Sequence, residues 1–534
     1  MTDTDRTVLD STLDVFQAHG LTTIFGNPGS NELPFLAGLD ENFDFVLGLH
    51  EQVVLGMAEG YSRATGGPAL VNLHAASGSG NAMGALTNAA YGQTPLVILA
   101  GQQVRSTVGQ ETMLANVNAT ALPAPLVKHA HEPLSPQDVP RALSQAIFEA
   151  TTAPSGPVYV SVPLDDWDRP ASDDDALLTE RTVVSSGQLT ADIADHLIQA
   201  IGDAGRLALV VGPQLDAAAV RDHGVMDAAV QLAEKTDASV FVAPSPNRAP
   251  FPTTHPNFEG VLVPGVKSVR DRLADYDTVL VLGAAVFRYH RWEPSNYLTA
   301  GTRVLHVTED PSEAARAPFG EAVVADVAAA VRTLAAGVSD GGTRRGEPGS
   351  RTLPAAHTSE EGMTGTEILE VLNQHVDETV TYINETTTLD LEYIERIAID
   401  RPGMYHFPAS GGLGFGLPVA VGYALGAPEK TVVATIGDGS ANFGITALYT
   451  AAQRGTRTIF IIVNNSGYGA LSGFAQRMGV PDTPGLEVPG IDFVSIAEGY
   501  GVPAQRVDNR QDFDAAYTRA LAAEGPVLID VRIV

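Results

Sequence analysis

The segments that most constrain this chain are short, almost wholly apolar and often β-branched runs with helix-patterned stretches between them. From the N-terminus they read TTIFG, FDFVLGL, ALVNL, PLVILA and PVYVSV, then ALVVG, SVFVA, TVLVLG and RVLHV, then TVTYI, TVVATI, TIFIIV and PVLIDV. Strands with one face in water alternate apolar and polar residues. These runs do not alternate, which suits strands buried on both faces of a parallel sheet. Between them, TVLDSTLDVFQAHG places Leu9, Leu13 and Phe16 on one helical face and meets a stop at Gly20. The expected fold class is α/β, with three domains, each a parallel sheet flanked by helices.

Two polar, turn-rich stretches, 168–188 and 337–363, lack periodicity and read as linkers. They cut the 534 residues into expected domains at 1–175, 186–340 and 360–534. Acids outnumber bases 63 to 32, and the net charge of −31 argues against a nucleic-acid or anionic membrane partner. The absence of cysteine excludes disulfides and thiol chemistry. The acidic start MTDTDRTVLD has no apolar signal core, and no run approaches the ~18 apolar residues that would span a bilayer. The expected location is cytoplasmic.

In an open parallel sheet, ligands bind beyond the carboxyl ends of the strands. Residues 437–465 read GDGSANFGITALYTAAQRGTRTIFIIVNN, so Asp438 ends one strand and Asn465 the next, with SANFGITALYTAAQR as the crossover helix between them. A carboxylate and an amide oxygen brought together suit Mg²⁺, which takes its remaining ligands from phosphates and water. A helix starting after Asp438 adds N–H donors for a phosphate. Alone, GDG or NN is usually an ordinary turn; the spacing favours a metal–diphosphate site. The glycine-rich HAASGSGNAMG is a weaker signal. Gly78, Gly80 and Gly84 miss the dinucleotide spacing by one, and the following strand ends in Gly101-Gln102 rather than an acid.

GDG, about 25 residues and then NN resembles the cofactor motif of thiamine diphosphate-dependent enzymes. FGNPGSNELPF, LHEQ, NLHAASGSGNAMGAL, GAAVFRYH, ASGGLGFGLP and NNSGYGAL resemble the benzoylformate decarboxylases among them, almost end to end. The resemblance implies a first domain that binds the cofactor's pyrimidine, a structural middle domain and a third domain that binds the diphosphate. Each site would lie between two chains, in a homo-oligomer of at least two copies and commonly four.

By the same resemblance, Glu51 bonds the pyrimidine, and its plainer alternative is an acid at a helix N-terminus. Asp438, Asn465 and the Gly467 carbonyl hold Mg²⁺, with Ca²⁺ able to take its place. The Gly411 carbonyl and the apolar wedge Leu413 seat the rings, with Thr387, Gly439, Ser440, Tyr468 and Gly469 as further cofactor contacts. Ser30 binds the substrate carboxylate, while His74 and His290 handle protons. Taken singly, these three read as a helix cap, a buried histidine and a surface histidine. Met113, Leu114, Phe407, Leu471 and Phe474 are expected to form an apolar pocket wall, loosened at Ser472-Gly473.

The expected activity is non-oxidative decarboxylation of an aromatic 2-oxo acid, benzoylformate to benzaldehyde and CO₂, with some carboligation. Alternatives are a phenylpyruvate or other 2-oxo acid decarboxylase, an acetohydroxyacid synthase-type transferase, and an idle cofactor-binding module.

Overall fold

The computed structural model describes residues 6–290, 293–341, 353 and 355–534. Most of the expected linker at 168–188 lies against the first unit. A 3₁₀ turn at Asp175–Glu180 follows Trp167, which is buried against Phe35, and Arg181 stacks on Phe148. Much of the second expected linker, at 342–352 and 354, lies outside the described residues.

The first sheet contains β1 (Thr23–Gly26), β2 (Asp44–Leu47), β3 (Ala69–Leu73), β4 (Leu96–Gln102), β5 (His129–His131) and β6 (Val158–Pro163), in the order β2-β1-β3-β4-β6-β5. The second contains β7 (Leu207–Val211), β8 (Ser239–Val242), β9 (Phe258–Val261), β10 (Thr278–Leu282), β11 (Arg303–Thr308) and β12 (Glu321–Val324), in the order β12-β11-β10-β7-β8-β9. The third contains β13 (Val380–Glu385), β14 (Tyr405–His406), β15 (Thr431–Gly437), β16 (Thr458–Asn464), β17 (Ala504–Val507) and β18 (Val527–Arg532), in the order β14-β13-β15-β16-β18-β17. All the ladders within these sheets are parallel. The expected α/β class, three parallel sheets flanked by helices, is the observed one.

Local chemistry explains the flanking helices. Val8–Ala18 opens on a capping box in which Thr7 and Asp10 satisfy each other's backbone N–H. It buries Leu13 and Phe16 while Leu9 is half-buried, and Gly20 takes the left-handed φ of +71° that ends it. The expected single helix after Asp438 is broken in two, Asp438–Gly444 and Ala447–Arg454. Its first half lies close to the start of the helix Gly416–Gly426 and the loop before it: a Cβ on Gly444 would stand 2.9 Å from Pro418 and 3.4 Å from the Gly414 carbonyl.

The first and third sheets meet through the helices Glu51–Thr65 and Gly416–Gly426. Glycines make the seam. A Cβ on Gly60 would fall 2.1 Å from the Val419 carbonyl, and one on Gly422 would fall 1.8 Å from that of Met57. One apolar core, running from Phe25 through Met57 and Val419 to Phe460, spans both sheets.

A buried ionic cluster ties in the middle sheet. Arg63 pairs with Glu59 at 2.8 Å and approaches His406 Nδ1 at 3.4 Å, while Arg248 pairs with Asp216 at 3.0 Å. Asp216 also accepts the Gly403 N–H. Burial, reinforced by the two arginines, drives the His406 pKa well below its usual value. Removing one partner of such a buried pair costs roughly 3–5 kcal/mol, because the other charge is stranded. The cluster thereby fixes the strand that precedes Phe407.

Candidate active site

Chemistry-bearing side chains collect at the carboxyl ends of two sheets. In the first, the turn after β1 carries Asn27, Gly29 and Ser30, Glu51 opens a helix after β2, and His74 follows β3. Glu51 is 7% exposed. Its Oε1 accepts from Asn27 at 3.2 Å and its Oε2 from Asn81 at 2.9 Å. His74 Nδ1 meets Glu32 Oε2 at 2.8 Å, and the same oxygen accepts the Gly29 N–H at 2.9 Å. The buried Glu32 carboxylate orients the imidazole and leaves Nε2 as the nitrogen available for proton exchange. A Cβ on Gly29 would overlap the His74 ring, so the backbone of the turn that carries Ser30 packs directly on the imidazole at Gly29. Asn31 reaches the Leu114 carbonyl at 3.4 Å, which brings the pocket-wall loop to the same place.

At the third sheet, β15 and β16 pair so that Gly437 lies opposite Val463, and their ends deliver Asp438 and Asn465 to one point. Asp438 Oδ2 and Asn465 Oδ1 both accept the Gly467 N–H, at 3.0 and 3.2 Å. Burial raises the Asp438 pKa, with hydrogen bonds from backbone N–H groups as the opposing influence. A desolvated carboxylate beside an amide oxygen and a tight backbone turn is a donor set that fits a hard divalent cation. Among the described residues no cluster of three His, Cys, Asp or Glu could hold a metal; the set here is one carboxylate, one amide and the Gly467 carbonyl.

These groups line a cleft of about 430 Å³. Its walls include Thr387, Gly411, Leu413, Asp438, Gly439, Ser440, Asn465, Gly467, Tyr468, Gly469, Leu471 and Phe474. Gly439 accommodates the Tyr468 ring, which a Cβ would strike at 2.4 Å. Gly411, at the cleft wall, has φ +76°, a left-handed conformation that glycine adopts without strain. His290, from the middle unit, lies edge-on to Phe474 with ring centroids 6.5 Å apart.

One chain does not assemble the whole expected pocket wall. Leu471 and Phe474 line the cleft, but Met113 and Leu114 stand on a first-sheet loop, 84% and 37% exposed. Phe407 packs against the core shared by the second and third sheets. None of the residues lining the cleft comes from the first sheet's cluster. Sequence reasoning also missed Glu32, Asn27 and Asn81, all within stretches whose sequence looked notable but assigned them no partner.

It missed Glu385 too. This buried carboxylate at the end of β13 accepts the N–H groups of Gly414, Phe415 and Gly416 at 2.6, 3.3 and 2.6 Å. It pins the loop that carries Gly411 and Leu413. On the other side, Gln52 donates to the Leu413 carbonyl at 3.1 Å and Asn88 to that of Gly412 at 2.9 Å.

Comparison with known proteins agrees with this fold. Three thiamine pyrophosphate (diphosphate) enzyme domains match in order: the N-terminal TPP binding domain over residues 6–122, the central domain over 194–334 and the C-terminal TPP binding domain over 390–531. The chain belongs to the thiamine pyrophosphate enzyme family. Among relatives in that family, a benzoylformate decarboxylase of Pseudomonas aeruginosa is 48% identical over 98% of both chains. The solved thiamine diphosphate-dependent 4-hydroxybenzoylformate decarboxylase of Rhodococcus jostii RHA1 is 50% identical over 99% of both chains, with a TM-score of 0.95. An acetolactate synthase of Arthrospira platensis is more distant, at 25% identity over 98% of this chain and 93% of its own. No helix among the described residues is long and apolar enough to cross a membrane.

Proposed function

We propose that this chain is a thiamine diphosphate-dependent carboxy-lyase that converts benzoylformate to benzaldehyde and CO₂. The observation that carries this reading is the cleft in which Asp438 and Asn465 converge beside the apolar Leu471 and Phe474. The 48% identity to a benzoylformate decarboxylase, against 25% to an acetolactate synthase, supports it over a transferase.

When bound, thiamine diphosphate supplies a carbon nucleophile and an electron sink for decarboxylation. Asp438, Asn465 and the Gly467 carbonyl would hold a Mg²⁺, or Ca²⁺, ion, which would supply positive charge for the diphosphate. Thr387, Gly439, Ser440, Tyr468 and Gly469 would line the diphosphate end, and Gly411 and Leu413 the rings. Glu51, steadied by Asn27 and Asn81, would hydrogen-bond the pyrimidine. Ser30 would orient the substrate carboxylate. The reaction consumes one proton at the carbon that becomes the aldehyde, and His74 and His290 would exchange it. Leu471 and Phe474 would flank the aryl ring and exclude water. Glu51 and the cleft belong to separate clusters in one chain, which supports a homo-oligomer of at least two copies. The strong acidity favours a small-molecule partner and a cytoplasmic setting without nucleic-acid or membrane binding.

A second reading, a para-hydroxylated substrate, is favoured by the 50% identity to the Rhodococcus protein. A competition assay among benzoylformate, 4-hydroxybenzoylformate, phenylpyruvate and pyruvate, with cofactor and Mg²⁺ present, tests both. Aryl glyoxylates should lead in kcat/KM, since losing the ring forfeits apolar burial at about 25 cal/mol per Å². A preference for pyruvate would overturn the aryl reading, and acetolactate as the product would restore the transferase.

A further inference from the structure

The segment after β8 pairs with β14 and the residue that follows it. The Asn247 carbonyl accepts the Phe407 N–H at 3.1 Å, and Arg248 bridges to His406. Between two buried prolines, Pro244 and Pro246, stands Ser245, exposed and with φ +56°. A serine in the left-handed region is strained, and such strain persists where the surroundings over-determine it and something requires the conformation. Here that conformation carries the hydroxyl to 3.3 Å from His290 Nδ1. His290 in turn sits edge-on to Phe474 at the cleft.

We propose that Ser245 is a positioning residue for His290, holding its ring so that Nε2 is the nitrogen that exchanges a proton over the cleft. This rests on the reading of His290 as a proton-handling group. A hydroxyl suits the task because it rotates. It donates to Nδ1 when that nitrogen is bare and accepts from it when the imidazole is charged, so the orientation survives both halves of a proton transfer. A carboxylate in its place would favour the charged state alone. The charged groups nearby are Asp390, which interacts electrostatically with His290, and Arg477, whose guanidinium lies 4.5 Å from the Phe474 ring centroid. Neither is hydrogen-bonded to the imidazole in the structure, so fixing the ring falls to Ser245 and the edge of Phe474.

The test compares Ser245→Ala, Ser245→Gly, His290→Ala and the double variant Ser245→Ala/His290→Ala in the full-length holoenzyme, reading kcat, KM and Tm. Losing the hydroxyl should lower kcat about ten- to a hundredfold, as misplacement of a reacting group does, with KM changed little. Ser245→Gly should separate the two aspects of the residue: Tm rises because glycine accepts the positive φ, while kcat falls as in Ser245→Ala. In the His290→Ala background, Ser245→Ala should cost nothing more, the non-additivity expected of groups that act as a unit.

Wild-type kcat in Ser245→Ala or Ser245→Gly would overturn the proposal and leave Ser245 as a turn residue. So would losses that multiply in the double variant, or a Ser245→Ala defect beside an unimpaired His290→Ala. A wild-type enzyme that leaves aryl 2-oxo acids untouched counts against the proposed function instead. In that event a crystal structure of Ser245→Gly decides: the His290 ring swung away from Phe474 supports positioning, and the ring unmoved refutes it.

Discussion

The first and third sheets share one strand order: β1 corresponds to β13, β2 to β14, β3 to β15 and β4 to β16, with the outer pairs following suit. In both, the order reverses between the first and third strands of the set, so the crevice for a ligand opens at equivalent places. What fills those places differs. After β3 stands His74, beside a buried Glu32, while after β15 stands Asp438, beside Asn465. The helix after β2 begins on Glu51, a carboxylate held by amides; the one after β14 begins beneath a glycine-rich loop held by Glu385. One frame thus carries a histidine and buried carboxylates and, a second time, a carboxylate beside an amide and open backbone. The fold decides where side chains converge, and the strand-end residues decide what they do there.

The sharpest way to separate the two halves is a pair of substitutions with different losses. Asp438→Ala should weaken thiamine diphosphate and Mg²⁺ binding together and abolish turnover at ordinary cofactor concentrations. Glu51→Gln should leave cofactor binding within a few-fold, yet lower kcat by about 10²–10⁴, the scale of a lost acid–base step. Calorimetric titration of cofactor with and without Mg²⁺, beside a decarboxylation assay, reads both. If the two variants lost binding and turnover alike, the division between the halves would fail.

Next in size is the seam where the equivalent helices meet. Gly422→Ala drives a Cβ to 1.8 Å from the Met57 carbonyl, and backbone cannot rotate away as a side chain can. It should cost about 3 kcal/mol or more, at or above the usual range for overpacking. Gly202→Ala, at the end of a helix with nothing within 4 Å, should instead stabilise by up to ~1 kcal/mol. Denaturant midpoints of the two variants check the contrast.

How much of this was legible from sequence follows the same geometry. The strands read from their apolar runs include every interior strand of all three sheets. The five unread ones, β5, β9, β12, β14 and β17, are all at or beside open margins of the sheets. They are short, and β5, β12 and β17 are largely half-exposed or exposed, so no continuous apolar run marks them. The Asp438–Asn465 pair was legible because one crossover fixes its spacing. Glu32 with His74, and Asn27 and Asn81 with Glu51, lie 24 to 42 residues apart and meet only once neighbouring strands are ordered. The pocket wall was read as a single surface, but one chain brings only Leu471 and Phe474 onto the cleft.

The last contrast concerns Glu385, which has no counterpart in the first sheet's cluster. Burial raises its pKa to about 7, against the opposing pull of three backbone N–H groups, and no neighbouring cation assists. A carboxyl whose folded pKa lies above its unfolded one binds more protons folded than unfolded. The fold therefore loses stability as pH climbs from about 4.5 to about 7, and the full cost, of order 3 kcal/mol, stands above that window. Glu385→Gln cannot ionise, so its stability relative to wild type should improve from pH 5 to pH 8, which chemical denaturation at the two values would register. An amide nitrogen would also face one of the loop's N–H groups, leaving that donor unpaired. The loop carrying Gly411 and Leu413 should then seat the cofactor several-fold less tightly, even where the protein is no less stable. Equal pH dependence in variant and wild type would mean that the carboxylate finds a compensating charge in the assembled enzyme. Unchanged cofactor affinity would mean that Gln52 and Asn88 hold the loop without it.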